Sequence, residues 1–369
     1  MKAWIERNLK GDPVIWTIVI FLSLISVLVV YSSTESLAYR QMEGNTEYYL
    51  FKHIILTAIS LLIMWIVHKV NYRYYYKPAK WILILSIPLL ILTIQFGENL
   101  NEARRWITIP FLYQSFQPSD IARLALFVHI AGVLAKCQKD KRDIKAALVP
   151  LLFWCGLVCG LVAFSDLSSA ILIFFTCLLL MFIGRVPISY LAMLLLVGLL
   201  SGYGSAKLGQ RGGTAEQRIS SFLNIKPSFQ EKQAYIAIAT GGIIGKGPGN
   251  SYQKNLLPHA YSDFIYAIII EEYGLIGGIL VMVLYMILLY RGTRVLRRSD
   301  SVFGGLLSTS LCIAVVAQAI INMGVAVGIL PITGLPLPMI SMGGTSQIFM
   351  GIAMGMVLNV SKRKEQDDI

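Results

Sequence analysis

SVFGGLLSTSLCIAVVAQAIINMGVAVGILPITGLPLPMISMGGTSQIFMGIAMGMVLNVS, residues 301–361, contains no Asp, Glu, Lys or Arg. A membrane-spanning helix needs roughly 20 consecutive apolar residues, and this stretch holds enough for two. PITGLPLP at 331–338 must divide them, because proline lacks an N–H and clashes with the preceding helical turn. Two spans joined by an irregular loop are therefore predicted.

The rest of the chain agrees. Of its 369 residues 56% are apolar and 14% charged, against about 25% charged in soluble domains, and the mean hydropathy is +0.66. These values exclude a water-soluble globular protein. Apolar stretches at about 14–31, 50–67, 80–97, 119–135, 146–164, 167–184, 187–204, 264–290, 303–325 and 344–360 give ten candidate helices. The expected fold is an all-α polytopic membrane protein, one integral-membrane domain over 1–369, with a long extracytoplasmic loop at 205–262 between helices 7 and 8. The first run follows Lys2, Arg7 and Lys10 as a signal peptide would, yet ends in VVYSSTES without a small-residue cleavage pattern, so it reads as a retained span.

Lys and Arg number 32 against 20 Asp and Glu, a net charge of +12. In a membrane protein that excess is first a topology signal, and nucleic-acid binding is not its reading. With the N-terminus cytoplasmic, 20 of the basic residues fall in inner segments and 3 in the four short outer connections, the asymmetry of the positive-inside rule. Both termini are expected inside. The long outer segment carries seven more, but long translocated segments escape the rule. No internal repeat is visible, which argues against an inverted-repeat transporter. The five cysteines read as reduced packing residues, and the four histidines form no metal-binding pattern.

Polar residues in apolar surroundings need reasons. Asp166, in FSDLSSA, sits at an outer turn, where it would cap a helix or line a polar cavity. Asp120 and Arg123, in QPSDIARLALFVHI, lie one helical turn apart and suit either an ion pair or a site. Arg104 and Arg105 stand together in NEARRWITIP, and adjacent guanidiniums suit bidentate phosphate recognition. In the long outer segment Lys207, Arg211, Arg218, Lys226, Lys232, Lys246 and Lys254 face only Glu216 and Glu231 before YSDF. Its run GGIIGKGPGNSYQK (241–254) offers turn glycines, or backbone amides to an anion, and is not a Walker loop. Asp263 opens the eighth span in PHAYSDFIYAIIIEEYGLIGG (258–278). It would cap that helix, or act as a desolvated base at the membrane boundary. Glu271 and Glu272 lie about two turns deeper, where charge is costly unless partnered.

Taken in order, NEARRWI, FQPSDIARLAL, SDLSSAILI, YIAIATGGIIGKGPGNS, LPHAYSDFIYAIIIEEYGLIG, INMGVAVGILPITGLPLPMIS and MGGTS resemble the SEDS (shape, elongation, division, sporulation) family of cell-wall polymerases over roughly residues 95–360. The resemblance is to its FtsW-like branch more than its RodA-like branch. It implies a peptidoglycan glycosyltransferase of the bacterial cytoplasmic membrane that polymerises lipid II at the outer face, for septal wall or cell shape. Lipid II and a polyprenyl-pyrophosphate-linked glycan would be its substrates. A class B penicillin-binding transpeptidase and divisome or elongation proteins would be its partners. The family's essential aspartate maps onto Asp263 and a second aspartate onto Asp166. Ser165, Asp120, Arg123, Glu102, His259, Tyr261 and Met342 depart from the family pattern, while both aspartates are kept.

On this reading Asp263 is the base that takes the acceptor hydroxyl proton. Arg104, Arg105, Arg218, Lys246, Lys254, Asp120, Arg123 and Asp166 are the substrate-binding candidates, the basic ones stabilising departing pyrophosphate with or without a divalent cation (Mg²⁺ or Mn²⁺). The rival readings are a lipid II flippase or other polyprenol transporter, for which Glu271 and Glu272 are the best support, and a noncatalytic scaffold for a transpeptidase.

Overall fold

Asp12 starts the first span by accepting the Val14 amide at 2.9 Å, and Pro13 takes the first helical position, where its missing N–H is not needed. The computed structural model describes residues 9–35, 37, 46–100, 103–109, 114–139, 144–208, 218, 220, 222 and 227–362. Among the described residues there are eleven helices: α1 (Pro13–Ser33), α2 (Thr46–Lys69), α3 (Tyr76–Phe96), α4 (Pro118–Lys139), α5 (Ile144–Ser165), α6 (Leu167–Ile183), α7 (Ile188–Leu208), α8 (Phe229–Gly241), α9 (Ile265–Arg298), α10 (Val302–Ala326) and α11 (Ser346–Val360).

All of these except α8 fall on the ten predicted stretches. Six are long and apolar enough to cross a membrane: α1, α2, α3 with its preceding turn, α5, α9 and α10. α6, α7 and α11 have shorter apolar portions, and α4 carries Asp120, Arg123, Lys136 and Lys139 within 22 residues. Large apolar side chains such as Leu62, Leu196, Leu199 and Leu200 are exposed, as lipid-facing residues must be. α10 is the core helix, packed against α4, α6, α9 and α11. Its Gly304, Gly305, Ser308 and Ala314 are buried, and small residues let backbones approach closely where lipid leaves no hydrophobic drive between helices. All five cysteines are buried and free.

The structure adds three features to the predicted bundle. A three-stranded antiparallel sheet, β1 (Glu98–Leu100), β2 (Ala103–Ile109) and β3 (Gln114–Phe116), fills the connection between α3 and α4. α8 lies within the long outer segment and is set by a capping box in which Ser228 and Glu231 satisfy each other's backbone amides. Finally, α9 is broken at Gly274 (φ 71°, ψ −175°), a conformation essentially confined to glycine.

That break is capped on both sides by the glycine-rich run. The Lys246 and Gly247 amides donate to the carbonyls of Glu271 and Glu272 at 2.9 Å each, ending the first half-helix. The amides of Leu275 and Ile276 then donate to Gly242 and Ile243, at 2.9 and 3.3 Å, starting the second. A Cβ on Gly274 would lie 2.1 Å from the Ile243 carbonyl oxygen, so this close approach also requires glycine.

Irregular backbone is tolerated inside a membrane protein only where its polar groups find partners. The proline loop meets that demand with side chains from four helices. Asn322 and Gln318 of α10 donate to the carbonyls of Leu335 and Pro336 at 2.8 and 2.9 Å. Tyr285 of α9 donates to Pro338, Ser26 of α1 to Ile340 at 2.6 Å, and Gln347 of α11 to Ser341 at 3.2 Å. The predicted break at PITGLPLP is thus a fixed loop held inside the bundle.

Candidate active site

Asp263 ends a tight turn in which the amides of Ser262 and Asp263 both donate to the His259 carbonyl. The helix-capping position falls one residue later, on Phe264, which makes no side-chain cap. The Asp263 carboxylate therefore does not cap α9. It accepts the Ser262 hydroxyl at 2.9 Å, is half-buried, and faces Gly334 (φ 70°), where a Cβ would stand 3.7 Å from Oδ2. The Asn322 amide donates at once to the Asp263 carbonyl (2.9 Å) and to Leu335. One buried side chain thereby locks the aspartate turn to the proline loop.

One further charged group reaches that loop directly and a second through Gln318. Arg218 donates to the Ile332 carbonyl at 3.3 Å. Arg123 pairs with Asp120 at 3.1 Å and donates to Gln318 at 2.9 Å, while Gln318 holds Pro336. Oδ2 of Asp120 is buried without a partner. Nearby, β2 presents Arg105 to Asp166 at 2.6 Å, with side chains only 14% and 4% exposed. Asp166 also caps α6 through the Ser169 amide and hydroxyl, which is the capping role expected of it. Arg105 uses one of five donors there.

Tyr261 completes the aspartate turn, and its phenol is pushed above its ordinary pKa by burial first and by the charge of Asp263 second. It stays a donor at neutral pH. Gln318, Asn322 and Tyr261 had no place among the sequence candidates. A polar pair one turn apart on α10, in QAIINM, was the available signal.

Lys246 and Lys254 belong to a second cluster. Lys246 pairs with Glu271 at 2.6 Å, and Lys254 pairs with Glu35 at 2.6 Å while donating to the Gly249 carbonyl. The loop amides predicted to greet an external anion are also occupied, since those of Tyr252 and Gln253 donate to the Glu271 carboxylate. Glu272 accepts the Ser32 hydroxyl. Both glutamates thus sit at the helix break, Glu271 tying α9 to its capping loop and Glu272 tying it to α1. Arg211, Glu216 and Lys226 lie outside the described residues, as do the side chains of Arg104 and Lys207.

These features define a class: a multi-pass membrane protein with a charged site built at one end of its bundle around a loop that enters it. The chain belongs to the FtsW/RodA/SpoVE family of cell cycle proteins, whose family model matches residues 12–366. It is 32% identical to the probable peptidoglycan glycosyltransferase FtsW of Coxiella burnetii, over 95% of this chain and 96% of that one. Stage V sporulation protein E of Bacillus subtilis is 30% identical over 96% and 98%. The fold matches a chain of a solved peptidoglycan synthase complex that coordinates polymerization and crosslinking (TM-score 0.74, 23% identity, 97% of this chain and 99% of that one). It also matches the rod shape determining protein RodA of Thermus thermophilus (TM-score 0.68, 23% identity, 97% and 98%). The chain is accordingly a multi-pass protein of the bacterial cytoplasmic membrane.

Proposed function

We propose that this chain is a peptidoglycan glycosyltransferase that polymerises lipid II into glycan strands at the outer face of the membrane. The observation that carries the reading is Asp263. Its carboxylate is half-buried and free of capping duty, and its backbone carbonyl is fixed through Asn322 to the loop that also holds Arg218. The family membership and the glycosyltransferase name of the Coxiella relative support the same activity.

The donor is a glycan joined through pyrophosphate to a polyprenol, and the acceptor is a sugar hydroxyl of incoming lipid II. Asp263 takes the hydroxyl proton as the oxygen attacks the anomeric carbon. The carbon–oxygen bond to pyrophosphate breaks, and the anomeric configuration inverts. General-base help of this kind is worth about 10²–10⁴-fold. The leaving pyrophosphate keeps the electron pair, and the remaining donors of Arg105 and Arg218 stabilise it. Fixed donors aimed at developing charge need no reorganisation during the reaction. Asp166 and Asp120 act indirectly, by holding Arg105 and Arg123.

Among the described residues no three His, Cys, Asp or Glu side chains gather as a metal cluster. Mg²⁺ or Mn²⁺ needs only one or two carboxylates when substrate phosphates supply further oxygens, a donor set Asp263 fits. Such an ion would add charge neutralisation at pyrophosphate, and no step above depends on it. A class B penicillin-binding transpeptidase is the proposed partner, supported by the likeness to the synthase complex. The test is purified full-length protein, with and without that partner, supplied with labelled lipid II and no other polymerase. Glycan ladders are expected, and their absence in both mixtures would count against the reading.

A further inference from the structure

A wide cavity, about 1590 Å³ in volume, lies at the opposite, inner end of the bundle. Its wall is assembled from segments far apart in sequence: the start of α1, the end of α2 with the turn after it, the last two turns of α9, and the end of α11. Arg291, Arg294 and Arg298 of α9 line it together with Lys10, Lys69, Arg73 and Lys362. The carboxylates among the described lining residues are Asp12 and Asp300, and Asp12 is already engaged, capping α1 and pairing with Arg291 at 3.3 Å.

Two ordinary causes of inner basic residues do not account for this arrangement. The positive-inside rule places Lys and Arg near span ends, but it asks for no concavity. Arg297, Lys77, Lys80 and Lys136 satisfy it outside the cavity wall. Helix dipoles attract cations to C-termini, each carrying about half a negative charge. The C-termini of α2, α9 and α11, set against the N-terminus of α1, leave about one negative charge. The side chains contribute seven positive against two negative. Among the described lining residues the positive charge therefore exceeds what the carboxylates and helix ends offset. Lys362 registers it, since its ammonium is held below the ordinary lysine pKa by burial first and then by Lys10 and Lys69.

We infer that this cavity is a binding site for a phosphate-bearing polyanion on the cytoplasmic side, separate from the glycosyl-transfer site. Four of the seven cations are arginines, whose planar guanidinium matches phosphate oxygens in bidentate fashion. The side-chain amide of Asn71, whose Oδ1 accepts the Arg73 amide, adds a neutral N–H donor to the same wall. The volume exceeds the roughly 300–1,000 Å³ usual for a single small-molecule pocket, so there is room for two or more phosphates. Two sources supply this chemistry at that depth, the headgroup of an anionic phospholipid of the inner leaflet and a soluble nucleotide or polyphosphate.

The experiment uses the full chain in phosphatidylcholine nanodiscs at physiological salt. In one arm the discs contain cardiolipin, a two-phosphate lipid, and lipid retention is read by native mass spectrometry. In the other, ATP is titrated and binding is read by microscale thermophoresis. Saturable binding in the first arm assigns the lipid, in the second the soluble anion, and in both a site open to either. The Arg294→Gln/Arg298→Gln double variant should lose about 100-fold in affinity, because each charge-assisted bond removed is worth about a factor of ten. Arg297→Gln, one residue outside the wall, should bind normally. If the double variant is not monodisperse, Arg73→Gln replaces it, with a loss of about 10-fold expected from the one bond removed. No binding in either arm, binding only of a poly-glutamate peptide, or equal affinities for wall and Arg297 variants would overturn the assignment.

Discussion

Gly274→Ala asks whether the break in α9 holds the outer layer of the molecule in place. The new Cβ would stand 2.1 Å from the Ile243 oxygen and 2.4 Å from its carbon, and the far side of that contact is backbone, which cannot rotate away. Either residue 274 abandons its φ of 71° or the loop moves off. Holding alanine in that conformation costs about 1–3 kcal/mol. Displacing the loop at Ile243 forfeits the bonds from Leu275 and Ile276, about 0.5–1.5 kcal/mol each. The two together give about 2–6 kcal/mol, or a fall of about 3–8 °C in melting temperature for a chain of this length. Purified variant and parent are compared by fluorescence-detected melting in one detergent, with Gly156→Ala as control, since a Cβ there meets nothing within 4 Å. A Gly274→Ala protein that melts with its parent would refute the argument that this loop caps two half-helices.

The remaining expectations can be checked separately. Asn322→Leu leaves the carbonyls of Asp263 and Leu335 without their donor in a buried site; at about 1–3 kcal/mol for each, melting should fall, and lipid II polymerisation should fall further than stability alone explains, whereas a variant that only melts lower would leave Asn322 a purely structural residue. Arg218→Lys and Arg105→Lys keep the charge but lose bidentate geometry, so each should reduce glycan synthesis with normal expression, and full activity in both would make them surface and structural cations. Cysteine at Ser228 should react with an impermeant reagent in intact cells and cysteine at Ser299 should not; the native cysteines are all buried, so a parent background suffices, and the reverse pattern would invert the topology.

What the sequence disclosed follows the reach of each interaction. Apolar run length is a local property, and it located the ten stretches. The capping box at Ser228 and Glu231 is equally local, yet α8 escaped notice because its 13 residues fall inside a segment read by charge alone. The break at Gly274 was not legible. Its cause is a loop about thirty residues earlier in the chain, and a lone glycine in an apolar stretch carries little signal of its own. The same holds for Arg105 with Asp166, which are 61 residues apart. Asp120 with Arg123 was readable from helical spacing because the pair is intrahelical. Asp263 stood out by its motif, but its freedom from capping depends on α9 starting one residue later. Lys246 and Lys254 drew attention as outward cations, and only the fold shows the glutamates that hold them.

The central claim is that Asp263 acts as a base. Asparagine at this position is nearly isosteric and can still accept the Ser262 hydroxyl through its carbonyl oxygen, and the backbone bond to Asn322 does not involve the side chain. It cannot take and hold a proton near neutral pH. The direct measurement is the rate of glycan synthesis from labelled lipid II by purified Asp263→Asn, with its transpeptidase partner present and its melting temperature recorded alongside. A protein that melts within a few degrees of its parent and loses about two to four orders of magnitude in rate is the predicted result. Near-normal chain synthesis by a well-folded Asp263→Asn would contradict the account.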